Sequence, residues 1–283
     1  MKSALFICDP GWSTGNIAKC LAEALAADWR IDLHDWSTPF TDDGQHDAVV
    51  CMSMTGPARN PAGQTPRVAA VLSGPGELDL PEVETLALPP KMVLAGVSVE
   101  CATLLHAKYP DAHSVHTTSG FAHPRIFAWR DRSGPIKRAG FVGRSTTQNM
   151  QVSGPVKRPE MFAEICAAAG VEAVFSEQNY RYEDMQQFYD SVDVVISASS
   201  REGGPFSPIE AVACGVPALS TDVGIVHDMK LPGRFSTVEE CVALIPYARA
   251  LVPIQRAITA EHTRRAVAGW ENFLVSAAEI RSR

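Results

Sequence analysis

Two glutamates separated by seven residues enclose a glycine turn in Glu202-Gly-Gly-Pro-Phe-Ser-Pro-Ile-Glu210, and the run continues Ala-Val-Ala-Cys-Gly215-Val-Pro217. Carboxylates of this kind accept hydrogen bonds from neighbouring hydroxyls. Gly203 and Gly204, having no side chain, let a ligand come close to the backbone. Together with Pro205, Phe206 and Ser207 they make a segment able to hold an anion and a polyol side by side.

The flanking residues say which elements must position that segment. Val192-Asp-Val-Val-Ile-Ser-Ala198 reads as a buried strand, so the glycines lie where a parallel strand hands over to a helix, the ligand edge of an open α/β sheet. Ser207, Pro208 and Glu210 read as the N-cap, first and third residues of that helix. Its unpaired N–H groups would then face whatever lies over Gly203 and Gly204, which favours a phosphate or diphosphate. Ser207-x-x-Glu210 is also a capping box in its own right, so Glu210 has a second reading as a residue that only completes the helix start. Glu202 has a weaker one as a solvated loop carboxylate.

The same alternation of strand and helix runs through the chain. Strands are expected at Ser3 to Cys8, Arg30 to His34, Asp47 to Met52, Arg67 to Ser73, Lys91 to Gly96 and near His113 to Thr117, with helices over Gly15 to Ala27 and Glu100 to Ala107. Gly11 sits in the first strand-to-helix turn, Asp9 to Gly15, and is a further candidate for contact with the ligand. After a basic, Pro- and Gly-containing segment, Phe121 to Gly140, a second run follows. Its strands are expected at Ala139 to Val142, Ala173 to Phe175, Asp193 to Ala198 and Ala218 to Ser220, and its helices near Arg158, Tyr182, Ser207 and Val238. The tail Thr259 to Arg283 places Ala266, Trp270, Phe273, Leu274 and Ala277 on one helical face. Such alternation means parallel sheets covered by helices, an α/β class.

A Glu, seven residues and a second Glu, then Ala-x-Ala-x-Gly-x-Pro, resembles the nucleotide-binding signature of retaining glycosyltransferases of family 4. Phe141-Val-Gly-Arg144, Lys157, Met185 to Ser199 and Glu202 onward occur in that family's order, so the resemblance is clearest over the C-terminal half. It implies a GT-B fold: two Rossmann-like domains facing each other across a cleft, with an unusually small N-terminal acceptor-side domain at 1–120, a nucleotide-sugar-binding domain at 121–261 and a C-terminal helix, 262–283, returning to the first. It implies that Glu202 faces the donor sugar, that Glu210 binds the ribose, and that Arg144 and Lys157 neutralise the diphosphate. The donor would be a nucleotide-diphosphate sugar of UDP or GDP type, and the acceptor a glycan, lipid-linked sugar or small molecule. No cofactor is implied. The chain has no Asp-x-Asp, the commonest signature of metal-dependent sugar transferases, and no Cys or His spacing typical of zinc. A metal-independent hexosyltransferase is the expectation.

Composition is that of a soluble globular protein, with 46% hydrophobic and 20% charged residues in 283. The seven cysteines read as reduced core residues. The start is too short for a signal-peptide core and no run of about 18 apolar residues occurs, so a cytoplasmic protein without a membrane span is expected. Eight bases and one acid between Arg125 and Arg158 stand against a net charge of −7 overall, suggesting a local anion site. Overall acidity disfavours nucleic acid as a partner, although glycosylation of modified DNA bases stays open. A donor-binding module without transferase activity is the other alternative. It is suggested by the short first half and by Ser73, which stands where the family often has a catalytic-site His. His106, His113, His116 and His123 are given no catalytic role.

Overall fold

A computed structural model of the chain describes residues 1–9, 13–38, 40, 44–54, 69–72, 74–84, 92–145, 156–177 and 179–282. Two compact units divide it, Met1–Gly120 with Arg264–Arg283, and Phe121–Thr263. Gly11 and Ser73 lie outside the described residues.

The first unit contains β1 (Lys2–Cys8), α1 (Ser13–Ala24), β2 (Trp29–Asp35), β3 (Ala48–Cys51), β4 (Ala69–Leu72), a 3-10 turn (Pro75–Asp79), α2 (Pro81–Glu84), β5 (Val93–Gly96), α3 (Val99–Lys108) and β6 (Ser114–Thr117). The sheet order is β2-β1-β3-β4-β5-β6, every pair parallel. β3, β4 and β5 are buried at every position, which explains why they read as unbroken apolar runs rather than alternating ones.

The long helix Ala248–Arg281 contributes its last turns to this unit. Trp270 is wholly buried there, beside Phe6 and Phe273, and its indole N–H donates to the Ser119 carbonyl at 2.9 Å. A side chain on Gly269 would stand 2.8 Å from the Thr117 carbonyl, so glycine is what lets the helix approach so closely. Trp270→Ala removes the largest buried side chain and leaves that carbonyl unpaired. It should destabilise the protein by about 3–5 kcal/mol, read as a lower urea midpoint.

The second unit contains β7 (Arg138–Phe141), α4 (Pro159–Ala169), β8 (Glu172–Phe175), a 3-10 turn (Tyr182–Asp184), α5 (Met185–Asp190), β9 (Val194–Ser197), α6 (Phe206–Ala213), β10 (Ala218–Thr221), α7 (Gly224–Met229), β11 (Arg234–Phe235), α8 (Val238–Leu244) and the start of α9 (Ala248–Arg281). The strand order is β11-β10-β9-β7-β8, again parallel throughout. One face of the sheet packs Phe141, Phe162, Leu219 and Phe235, and the other Phe127, Phe188, Tyr189 and Val212. α7 and the two-residue strand β11 were not anticipated, because neither is long enough to show a hydrophobic period.

Two observations bear on the sequence expectations. Part of the basic segment is paired with acids of its own unit. Arg132 and Arg130 share the Asp190 carboxylate at 2.7 and 3.1 Å, and Arg138 donates to the Ser191 carbonyl at 2.6 Å. Asp190 and Glu172, outside the counted window, pair with three of its eight bases. Secondly, the stretch Val238–Arg281 does have the length and composition to cross a membrane. Its Gln255 is nevertheless buried, with the side-chain amide bonded to Ala218 N–H, Ala218 carbonyl and Pro232 carbonyl at 3.2, 2.6 and 2.7 Å. Those bonds tie this helix to β10.

Candidate functional site

In the second sheet the chain runs outward from β7 to β8 and then reverses to β9. The carboxyl ends of β7 and β9 therefore form the switch point at which open α/β sheets bind ligands. Val142, Gly143 and Arg144 leave β7 there, and Ala198 to Gly204 leave β9. Lys157 Nζ donates to the Val142 carbonyl at 3.2 Å and lies 4.0 Å from Glu202 Oε1. Three of the predicted residues, Arg144, Lys157 and Glu202, thus belong to one sheet edge. A separation of 4.0 Å is too long for a hydrogen bond, and the lysine side chain is 42% exposed, so the pair contributes little to stability.

The loop bearing Glu202 is held from three sides. Ser199 Oγ donates to Glu202 Oε2 at 2.6 Å. The Ser199 carbonyl accepts from Thr221 Oγ1 at 2.5 Å and from Arg158 Nη2 at 3.1 Å, while Arg158 Nε bonds the Ala198 carbonyl at 2.5 Å. Ser200 N–H donates to the Val156 carbonyl at 2.7 Å. Arg158 adopts a left-handed backbone (φ 50) next to Lys157, and burial lowers its pKa. Gly224 completes the frame: at φ +50 its missing Cβ would be 2.2 and 2.3 Å from the Glu202 and Gly203 carbonyls, a space no other residue can share.

Helix α6 starts two residues earlier than the sequence suggests, which revises the role of Ser207. Pro205 is the N-cap, with φ −70 and ψ 97, and no side chain caps the helix. Phe206 and Ser207 are then the first and second helical residues, and Pro208 the third, where its missing N–H would have been unpaired anyway. Glu210 falls at the fifth position, beyond the reach of a capping box. The capping reading therefore fails, and among the described residues no side chain caps the first turn.

Glu210 is instead a buried carboxylate, 7% exposed. Tyr189 OH donates to its Oε2 at 2.5 Å, and Tyr182 also bonds it. Burial raises its pKa to about 7; the Tyr189 hydroxyl, the nearby Lys157 charge and the Tyr182 hydroxyl oppose that rise. Phe127 packs edge-on against both tyrosines at 5.5 and 5.7 Å. Sequence spacing gave no sign of this partnership, since Tyr189 is 21 residues from Glu210 and on another helix. Thr221 and Arg158 were missed for the same reason: they act on backbone carbonyls, which leave no motif.

Among the histidines, His116 packs edge-on against Phe273 and pairs with Ser114 Oγ, and burial lowers its pKa. His123 is buried and its Nδ1 accepts from Arg125 N–H at 3.2 Å. The seven cysteines are free and buried.

Residues 147–233 match the protein-family model described as Glycosyl transferases group 1. No curated protein matches the chain in sequence. Similar solved structures include HepE of Anabaena in complex with UDP and glucose, 14% identical with TM-score 0.62 over 100% of each chain. TarM of S. aureus, solved with UDP and alpha-GlcNAc-glycerol, is 13% identical with TM-score 0.58. That match covers 92% of this chain but 59% of TarM. The DNA-modifying enzyme beta-glucosyltransferase is 10% identical with TM-score 0.60, over 98% of this chain and 99% of that one. At these identities the likeness is one of architecture, and with two parallel sheets in two Rossmann-like units the chain has the GT-B fold of these glycosyltransferases.

Proposed function

We propose that the chain transfers a sugar from a nucleotide-diphosphate sugar to an acceptor hydroxyl, with retention at the anomeric carbon and without a metal ion, as a cytoplasmic member of glycosyltransferase family 4. The observation that carries this reading is the meeting, at one switch point, of an uncapped helix start with Lys157, Glu202 and the buried Glu210. The family match over 147–233 supports glycosyl transfer as the chemistry.

The costly event is departure of the diphosphate. As the bond from the anomeric carbon to the β-phosphate oxygen breaks, its electron pair stays on that oxygen and the sugar becomes oxocarbenium-like. Lys157, Arg144 and the N–H groups at the start of α6 meet the growing charge. Glu202, held by Ser199, faces the sugar and favours its positive character. Glu210 receives the ribose hydroxyls, while Gly203, Gly204, Pro205, Phe206 and Ser207 line the diphosphate. The acceptor oxygen bonds the anomeric carbon on the face the leaving group vacates, and its proton passes to the departing phosphate oxygen. The first unit serves the acceptor side, and Gly11 is a further candidate for contact with the ligand.

A thermal-shift panel of UDP-, GDP-, ADP- and TDP-sugars tests the reading, because a ligand bound only by the native state raises Tm with concentration. One donor class should raise Tm and then yield free nucleotide with an acceptor pool. Binding without turnover would mark a donor-binding module. The DNA-base reading has no specific observation in its favour, since likeness to the DNA-modifying enzyme is of fold alone and the chain is acidic.

A further inference from the structure

Among the described residues three non-glycines have a left-handed backbone: Arg158, Glu177 and Lys230. Lys230 ends α7, where that conformation is ordinary. Glu177 has no helix to end. It follows β8 at φ 50, a conformation glycine adopts without steric cost and a glutamate does not.

The conformation turns Glu177 toward the loop that leaves β7. Its N–H donates to the Gly143 carbonyl at 3.0 Å, and its Oε1 accepts from Ser145 N–H at 3.0 Å. The preceding Ser176 Oγ accepts from Gly143 N–H at 3.0 Å. Gly143 and Ser145 are thus fixed by backbone hydrogen bonds, and Arg144 lies between them with its side chain exposed. Only the bond to Ser145 uses the Glu177 side chain.

We propose that Glu177 is a positioning residue for Arg144: its carboxylate pins the far side of the Gly143–Ser145 turn and so holds the guanidinium ready for the donor diphosphate. This rests on the donor reading given above. Glycine at this position, though easier on the backbone, could not reach Ser145.

Three variants separate the possibilities. Glu177→Gly relieves the backbone and deletes the bond to Ser145. Glu177→Gln keeps an oxygen acceptor but no charge. Glu177→Gly in an Arg144→Ala background asks whether the effect passes through Arg144. With the donor found by thermal shift, Glu177→Gly should lower kcat by about tenfold while donor KM changes less than about threefold, and its Tm should stay at or above the wild-type value. Glu177→Gln should retain kcat within about twofold, and Glu177→Gly should add no loss once Arg144 is alanine. A loss undiminished in the Arg144→Ala background, or equal loss in the glutamine and glycine variants, would overturn the proposal. Amide hydrogen exchange of the Gly143–Ser145 segment in the unliganded protein stands apart from activity. It should be slow in wild type and Glu177→Gln and fast in Glu177→Gly; equal rates in all three overturn the anchoring even if no donor is ever found.

Discussion

Lys157→Ala should lower turnover by about 10²- to 10³-fold, the range seen when one donor to a developing oxyanion is removed, while the donor dissociation constant should rise by less than about tenfold. The inequality follows from position. Lys157 is tied to the Val142 carbonyl and stands 4.0 Å from Glu202, so it is pre-placed at the strand end rather than recruited by ligand. Its charge matters most when negative charge moves onto the β-phosphate. Steady-state kinetics combined with a direct binding titration separate the two quantities. Equal losses in both would make Lys157 a binding residue only. Wild-type turnover should also survive EDTA, because cationic side chains meet the diphosphate.

The second large effect is a pH dependence centred on Glu210. Its pKa in the folded protein is about 7 against an ordinary 4.5, chiefly because it is buried. The folded state therefore holds a proton that the unfolded chain releases between those values. The stabilisation is fully present below pH 4.5 and is lost as pH rises through about 7, a change on the order of 3 kcal/mol. Glu210→Gln keeps an acceptor for Tyr189 but cannot ionise. It should be more stable than wild type at pH 8, and the difference should vanish near pH 4.5 when urea midpoints are compared. Donor binding moves the other way. Ribose hydroxyls bond the carboxylate more strongly than the neutral acid, so donor affinity should be highest above pH 7. It should fall by up to about tenfold per pH unit below that. Affinity indifferent to pH between 5 and 8 would remove Glu210 from the ribose site.

The strands were legible because β3, β4, β9 and β10 are buried on all sides and leave unbroken apolar runs. The Glu202 and Glu210 segment was legible because a glycine turn between strand and helix has few other uses. What could not be read was partnership at a distance. Glu210 looked like a cap because Ser207 stands three residues before it, yet Phe206 already takes the first helical position and Tyr189 supplies the hydroxyl. The pairing of Arg130 and Arg132 with Asp190 was not legible because that carboxylate lies more than 50 residues further on. The chain's own motif placed Lys157 near Glu202 only by order; the distance needed Arg158 and Thr221 to fold the two loops together.

In the proposed mechanism the diphosphate rests on the amino end of α6. Crystals grown with the nucleotide diphosphate selected by thermal shift test it most directly. The β-phosphate should lie within hydrogen-bonding distance of the Ser207 backbone N–H and of Lys157 Nζ, with the ribose hydroxyls on Glu210. A nucleotide bound elsewhere, or seated there with Glu210 still bonded only to Tyr189 and Tyr182, would contradict it.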